Sequence, residues 1–308
     1  MRLLTYISTA SKQQSNSPQA GVLLDNTVLD LAAAAQRCGE RGDFSSVLAI
    51  LQTGEASLAA IQRLIARRHE LQTMVTPLKQ LTLLAPIPRP ARNVFCVGRN
   101  YVDHVKEGYQ ARQSEVKLPE APQFFTKATH TVVGPEADVR LDAKVTRRLD
   151  YEVELAVIIG IGGRDINREQ AMHHVFGYSV ANDVTARDLQ RRHDQWFKGK
   201  SLDTTLPFGP TIVSKDEVID VTALELLMTV NGEQRQHAQV AQMIFDIPTI
   251  IASLSAGLTL EAGDIIATGT PSGVGFAMDP PRYLQSGDVM VASITGLGEL
   301  RNRVVGVG

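Results

Sequence analysis

From residue 93 to the C-terminus the sequence is a succession of short apolar runs: NVFCVG, DVRL, YEVELAVIIGI, VFGYSVAND, FGPTIV, LLMTVNG, DIIATG and VMVASI, punctuated by Gly, Pro and Asp. Runs of this length, rich in Val and Ile, read as β-strands. The helical patterns between them are few and short, at residues 100–107, 167–175, 185–192 and 247–255. Long helices do not alternate with the strands, which argues against a doubly wound parallel sheet. The expectation for this part is a β-rich α+β domain, rolled or barrel-like.

The residues before the proline-rich APIPRPAR (85–92) differ in texture. Residues 3–7 and 21–29 read as short strands on either side of a polar stretch, 9–19, that reads as a loop or hairpin tip. Three helical patterns follow: LDLAAAAQRC, stopped by Gly39; a second from Asp43, as N-cap, to about Gln52; and a third over residues 57–71. The prolines break regular structure. A boundary is therefore expected there, between a small N-terminal α/β domain at 1–88 and a larger domain at 89–308.

At 308 residues and 44% hydrophobic content, the chain can bury a sizeable core. Its formal charge of -2 leaves no basic surplus for a nucleic-acid partner. The apolar run in MRLLTYISTASKQQ is too short for a signal-peptide core. No window approaches the roughly 18 apolar residues of a membrane span. The expectation is a cytoplasmic protein without a membrane partner. Cys38 and Cys96 form no CxxC pair, so reduced thiols are expected. Cys96, inside NVFCVG, reads as a small buried hydrophobe.

The chemistry concentrates in a few motifs. In LDYEVELAVIIGIG (149–162), strand alternation places Glu152 and Glu154 on one face. Two carboxylates side by side against a core repel each other and lose hydration, which a divalent cation between them relieves. A wet edge strand is the alternative. In VFGYSVANDVTARDLQ (175–190), Asp183 sits where a strand end meets a helix start, and could supply a third carboxylate or merely a turn cap. Thr185 is placed to cap that helix. Arg187 and Gln190 share a helical face, and Arg187 could hold a substrate carboxylate bidentately. Asp188 and Arg191 read as solvated charges. Three carboxylates without His or Cys point to a hard cation: Mg²⁺ first, Mn²⁺ or Ca²⁺ possible.

In VGRNYVDHVKEG (97–108), a turn opens a short helix that Gly108 ends. His104 and Glu107 are three apart, so Glu107 can orient His104 as a general base, unless both are ordinary surface charges. Lys200, in the Gly-flanked FKGKSLDT, and Lys127, in FFTKATHTV, can stabilise developing negative charge, or simply lie at the surface. The turn ATGTPSGVG (267–275) offers N–H groups and the Thr270 hydroxyl to a carboxylate, although such turns are common. The remaining histidines read as structural or surface groups and Trp196 as packing. Nucleotide motifs fail: a phosphate loop ending in Gly199-Lys200-Ser201 needs glycine at position 194, which is Asp194.

These motifs stand in one order over residues 90–308: GRNYVDH with Glu107, FFTKATHTVVGP, DYEVELAVIIG, GYSVANDVTARDLQ, KGKSLDT with PFGP, and TGTPSGVG. In that order the sequence resembles the fumarylacetoacetate hydrolase superfamily. The resemblance implies a mixed β-sandwich roll, usually a homodimer, acting on a small 2-oxo acid. It implies Glu152, Glu154 and Asp183 as Mg²⁺ ligands, His104 and Glu107 as a pair on a lid helix, and Lys200 as a catalytic lysine. Arg187, Gln190, Lys127 and Thr270 match positions that line or hold substrate. The leading expectation is hydrolysis of an acylpyruvate C–C bond, with water activated by His104. The alternatives are a 2-oxo-acid decarboxylase or isomerase using the same metal and enolate chemistry, and a catalytically silent acid-binding protein.

Overall fold

In the computed structural model, which describes residues 1–8 and 17–308, the strand Val153–Ile159 buries all seven of its side chains. Alternation explains how. Val153, Leu155, Val157 and Ile159 enter one hydrophobic core, while Ala156 and Ile158 enter another on the opposite face. A strand apolar on both faces must be covered on both, and that requirement organises the molecule.

The strand lies inside a 12-stranded mixed sheet. Its main path runs Val75–Pro77, Thr27–Asp30, Gln19–Leu24, Arg2–Ser8, Leu206–Ser214, Val175–Asn182, Val153–Ile159, Ile265–Ala267, Val94–Gly98 and Gln123–Lys127. A five-stranded sheet covers one face, in the order Glu233–Gln239, Glu225–Val230, Val289–Ile294, Gly298–Val307 and Val139–Asp142. Leu226, Met228, Met290, Ala292 and Val304 of that sheet share a core with Leu155 and Val157. The two sheets form a sandwich. The helices Leu31–Cys38, Val47–Thr53 and Glu55–Ala66 help cover the other face, bringing Leu31, Ile50, Leu51, Ile61 and Leu64 against Ile158, Phe208 and Ile212. The fold is mixed and β-rich, with 35% strand against 28% helix.

The first strand pairs directly with the larger region, Arg2 opposite Val213 and Leu3 opposite Ile212. Strands from residues 1–88 and 89–308 thus share one sheet.

Several local expectations are redrawn. Residues 21–29 are not one strand. Gln19–Leu24 and Thr27–Asp30 form a hairpin, because Asp25 adopts φ 52° and turns the chain. The second helix starts at Val47, where the Ser46 side chain accepts from the Ala49 amide at 3.0 Å; Asp43 accepts from the Ser45 amide instead. The third ends at Ala66 and continues as a separate tight turn, Arg68–Glu70. The helix expected at 167–175 is the short Ala171–His174. The helix carrying His104 is Val102–Gln110 and runs through Gly108 rather than stopping there. Most of the polar 9–19 stretch, residues 9–16, lies outside the described residues. Among the described residues, no helix is long and apolar enough to cross a membrane.

Candidate active site

Glu154 leaves its strand on the face of Ala156 and Ile158, and Glu152, just before the first paired residue, points the same way by parity. The antiparallel register pairs Val153 with Asn182 and Glu154 with Ala181. Continued by one residue, it sets Asp183 across from Glu152, and the Asp183 amide donates to the Glu152 carbonyl at 2.8 Å. Glu152, Glu154 and Asp183 each offer an oxygen within 4.8 Å of the others, and all three are buried.

Buried cations hold this cluster. The helix Phe197–Lys200 packs so closely on Arg187–Arg192 that a Cβ at Gly199 would stand 2.4 Å from the Gln190 amide nitrogen. Only glycine permits the approach. It delivers Lys200 Nζ to 2.7 Å from Glu152 Oε2 and 2.5 Å from Asp183 Oδ2. Lys127 Nζ lies 2.8 Å from Asp183 Oδ1 but donates to the Val184 carbonyl at 3.0 Å, and Asp183 Oδ1 accepts no hydrogen bond. Arg187 Nη1 is 2.6 Å from Glu152 Oε1, and its Nε donates to Asp150 Oδ2 at 2.9 Å.

The fields follow this arrangement. Burial opposes charge on Glu152, but Lys200, then Arg187 and His104, hold it down at about 2. Glu154 is pushed well above the usual carboxylate range, by burial and then by Asp183 and Glu152. Burial also opposes charge on Lys200, yet Asp183 and Glu152 outweigh it and raise the ammonium above the usual lysine range. Lys127 is lowered, chiefly by burial.

These residues fit a hard dication. Four buried carboxylates (Asp150, Glu152, Glu154, Asp183) face three buried cations (Lys127, Arg187, Lys200), leaving one negative charge uncompensated. Glu154 relieves that excess only by keeping a proton, and Asp183 Oδ1 has free acceptor capacity. Oxygen-only donors suit Mg²⁺, Mn²⁺ or Ca²⁺.

A narrow cavity of about 50 Å³ opens on this cluster, with Glu152, Glu154, Arg187, Gln190, Lys200, His104 and Thr270 in its wall. His104 Nδ1 is 2.8 Å from Glu107 Oε1. An ionised carboxylate only accepts, so the hydrogen of this contact sits on Nδ1, and in the neutral ring Nε2 is then the nitrogen with the lone pair. Glu107 Oε2 accepts from the Gly273 amide at 2.8 Å, tying the helix to the glycine-rich turn.

Five placements differ from expectation. The turn's amides serve the protein's own carboxylates: Gly269 donates to Glu154, Gly273 to Glu107, and Gly275 and Phe276 to Asp150. The Thr270 hydroxyl donates to the Val153 carbonyl and accepts from Gln236 Nε2. Arg187 has Nε and Nη1 engaged, the latter also reaching Gln190 Oε1 at 3.2 Å, so Nη2 alone is unpartnered, rather than a free bidentate fork. Thr185 does not cap the helix; its hydroxyl donates to the Asp183 carbonyl, and the cap position is Ala186. Lys127 stands behind Asp183, outside the cavity wall.

Sequence reasoning missed Asp150, which accepts from four donors, Arg187 Nε and the amides of Tyr151, Gly275 and Phe276. The signal was present: Asp150, Glu152 and Glu154 alternate with period two. It also missed Arg99, Arg112, Phe125 and Phe276 in the wall, and read Trp196 as packing alone. Trp196 does both. It meets Phe125 edge-on at 5.4 Å and fills the space over Gly98, where a Cβ would fall 2.3 Å from the indole.

Comparison with known proteins gives a consistent set. Residues 93–305 match the family described as fumarylacetoacetate (FAA) hydrolase C-terminal. The chain is 43% identical over 301 residues to the oxaloacetate tautomerase YisK of Bacillus subtilis, covering 96% of this chain and 99% of that one. It is 43% identical over 257 residues to the mitochondrial oxaloacetate tautomerase FAHD2A of Homo sapiens, covering 83% and 78%. Among solved structures, a fumarylacetoacetate hydrolase from Exiguobacterium antarcticum superposes over all of both chains with TM-score 0.79 and 40% identity. Maleylpyruvate hydrolase from Sphingobium sp. SYK-6, in complex with manganese(II) and pyruvate, does so with TM-score 0.76 and 28% identity.

Proposed function

The chain belongs to the fumarylacetoacetate hydrolase family, and on that premise we propose that it interconverts the keto and enol forms of a small 2-oxo acid such as oxaloacetate, with a divalent metal ion. The observation that carries this reading is the buried cluster of Glu152, Glu154 and Asp183 beside Lys200 and the His104–Glu107 pair. Similarity to two oxaloacetate tautomerases supports it, displacing acylpyruvate hydrolysis from first place.

Glu152, Glu154 and Asp183 would hold the metal ion, which when bound would supply Lewis-acid polarisation of the 2-oxo group. The chain's own groups do the rest. His104 Nε2, its ring oriented by Glu107 at Nδ1, takes a proton from C3. The C3–H electron pair becomes the C2–C3 double bond, and the 2-oxo oxygen takes up charge. Lys200, kept protonated by Asp183 and Glu152, stabilises that charge and can deliver a proton to the oxygen. The unpartnered Arg187 Nη2 is available to the substrate's 1-carboxylate. No water takes part in this step.

The second reading is hydrolysis of an acylpyruvate, favoured by the same His104–Glu107 pair acting on water and by the likeness to maleylpyruvate hydrolase. Enol oxaloacetate, followed by loss of its ultraviolet absorbance with Mg²⁺ or Mn²⁺ present, separates the two when run beside maleylpyruvate. Metal-dependent ketonisation with no pyruvate released from maleylpyruvate is the expected result. An uncatalysed ketonisation rate, or one indifferent to chelator, overturns the proposal.

A further inference from the structure

The chain as a whole carries a formal charge of -2, yet arginines crowd the mouth of the cavity. A vestibule of about 470 Å³ adjoins the metal-cluster cavity, and Arg99, Arg112, Arg187, Gln190, Trp196 and Phe276 line both. Arg148 and Arg191 complete a set of five arginines in the vestibule wall, against one carboxylate, Asp194. Among the described residues, Arg99, Arg112, Arg148 and Arg191 form no ion pair, whereas Arg63, Arg92 and Arg282 elsewhere meet Glu40, Asp264 and Glu233.

Aromatic faces meet three of these guanidinium groups instead. Arg99 lies 5.6 Å from the Tyr109 ring centre and 5.7 Å from that of Trp196. Phe276 stands between Arg112 at 5.8 Å and Arg187 at 4.6 Å, and Arg148 is 5.9 Å from Tyr283. A ring face orients a guanidinium without neutralising it or using its edge N–H donors. Mutual repulsion is left unrelieved: burial, then Arg99, Arg187 and Arg191, lower Arg112 from the usual arginine range. A cleft of one charge sign with low-dielectric walls concentrates ions of the opposite sign.

We infer that the unpaired Arg99, Arg112, Arg148 and Arg191 form an electrostatic funnel that draws small polyanionic acids to the metal cluster in preference to monoanions. The inference rests on the proposed 2-oxo-acid chemistry and adds the substrate's charge class: a second negative group beyond the 2-oxo-acid head.

Trp196, the chain's one tryptophan, faces both compartments, so its fluorescence reports ligand arrival without turnover. Protein loaded with Mn²⁺ is mixed by stopped flow with oxalate, a dianion, or pyruvate, a monoanion. Calorimetric dissociation constants over the same salt series give a second readout. Oxalate association is expected to fall about tenfold between low and high ionic strength, and pyruvate association about threefold. The double variant Arg148→Gln/Arg191→Gln changes two exposed side chains. It should flatten the oxalate dependence while keeping the dissociation rate within about twofold of the parent. A variant with the parent's salt dependence, or equal salt dependence for the two acids, overturns the funnel. Steep oxalate association without ketonisation of oxaloacetate sinks the proposed reaction and leaves the funnel standing. No oxalate binding at all to the Mn²⁺-loaded protein overturns both.

Discussion

Asp183 stands directly across from Glu152: its amide donates to the Glu152 carbonyl at 2.8 Å, and both carboxylates meet the same ammonium, Lys200 Nζ. Backbone pairing and charge pairing coincide at one point. The acids are 31 positions apart in sequence, so anything that shifts the register of Val153–Ile159 against Val175–Asn182 dismantles the site.

The first prediction concerns that cluster. Asp183→Asn removes a carboxylate from the cluster and leaves Lys200 its ion pair with Glu152. Ketonisation is expected to fall by about 10²–10³ in kcat, with loss of Mn²⁺ binding by calorimetry. Parent-like metal affinity in this variant removes Asp183 from the ligand set.

The second concerns protons. Glu154 in the metal-free protein keeps its proton well above 4.5, where the unfolded chain has lost it. The folded state therefore binds more protons in that window, and metal-free stability should fall as pH rises through it. Glu152, held at about 2, is ionised in both states there and does not oppose the trend. Metal binding must expel the Glu154 proton, so apparent affinity should rise with pH. Calorimetry in two buffers of different ionisation enthalpy measures the release; identical apparent enthalpies contradict it.

The third tests the close approach of two helices. Gly199→Ala sets a methyl 2.4 Å from the Gln190 amide nitrogen, backbone that cannot swing aside. A loss of about 1–3 kcal/mol in urea unfolding is expected. Activity should fall further than stability, because the same helix delivers Lys200. An unchanged unfolding midpoint speaks against the packing.

The fourth concerns the thiols. Cys96 is fully buried, and burial, then Asp183 and Glu154, raise its pKa well above the usual thiol range. Cys38 is partly exposed. Alkylation of the native protein, read by mass spectrometry, should label Cys38 first and reach Cys96 only on unfolding. Comparable labelling of both thiols in the folded state counts against the buried assignment.

What the sequence by itself determined is whatever depends on local period. Strand alternation put Glu152 and Glu154 on one face, and a three-residue helical spacing brought His104 to Glu107. The apolar runs marked the strands because Val- and Ile-rich segments bury well on a pleated surface. What only the tertiary structure decided is which distant segments meet. Strand register chose Asp183 as the third carboxylate. The hairpin at Asp25 and the pairing of Arg2–Ser8 with Leu206–Ser214 joined the N-terminal strands to the main sheet. The turn at 267–275 spent its amides on Glu154, Glu107 and Asp150 because those buried acceptors lay nearest. Arg99, Arg112, Arg148 and Arg191 share no local spacing, so no periodicity could gather them. Local geometry follows from each residue's own backbone; partnership across the fold follows from burying both faces of one apolar strand, which is a property of the whole chain.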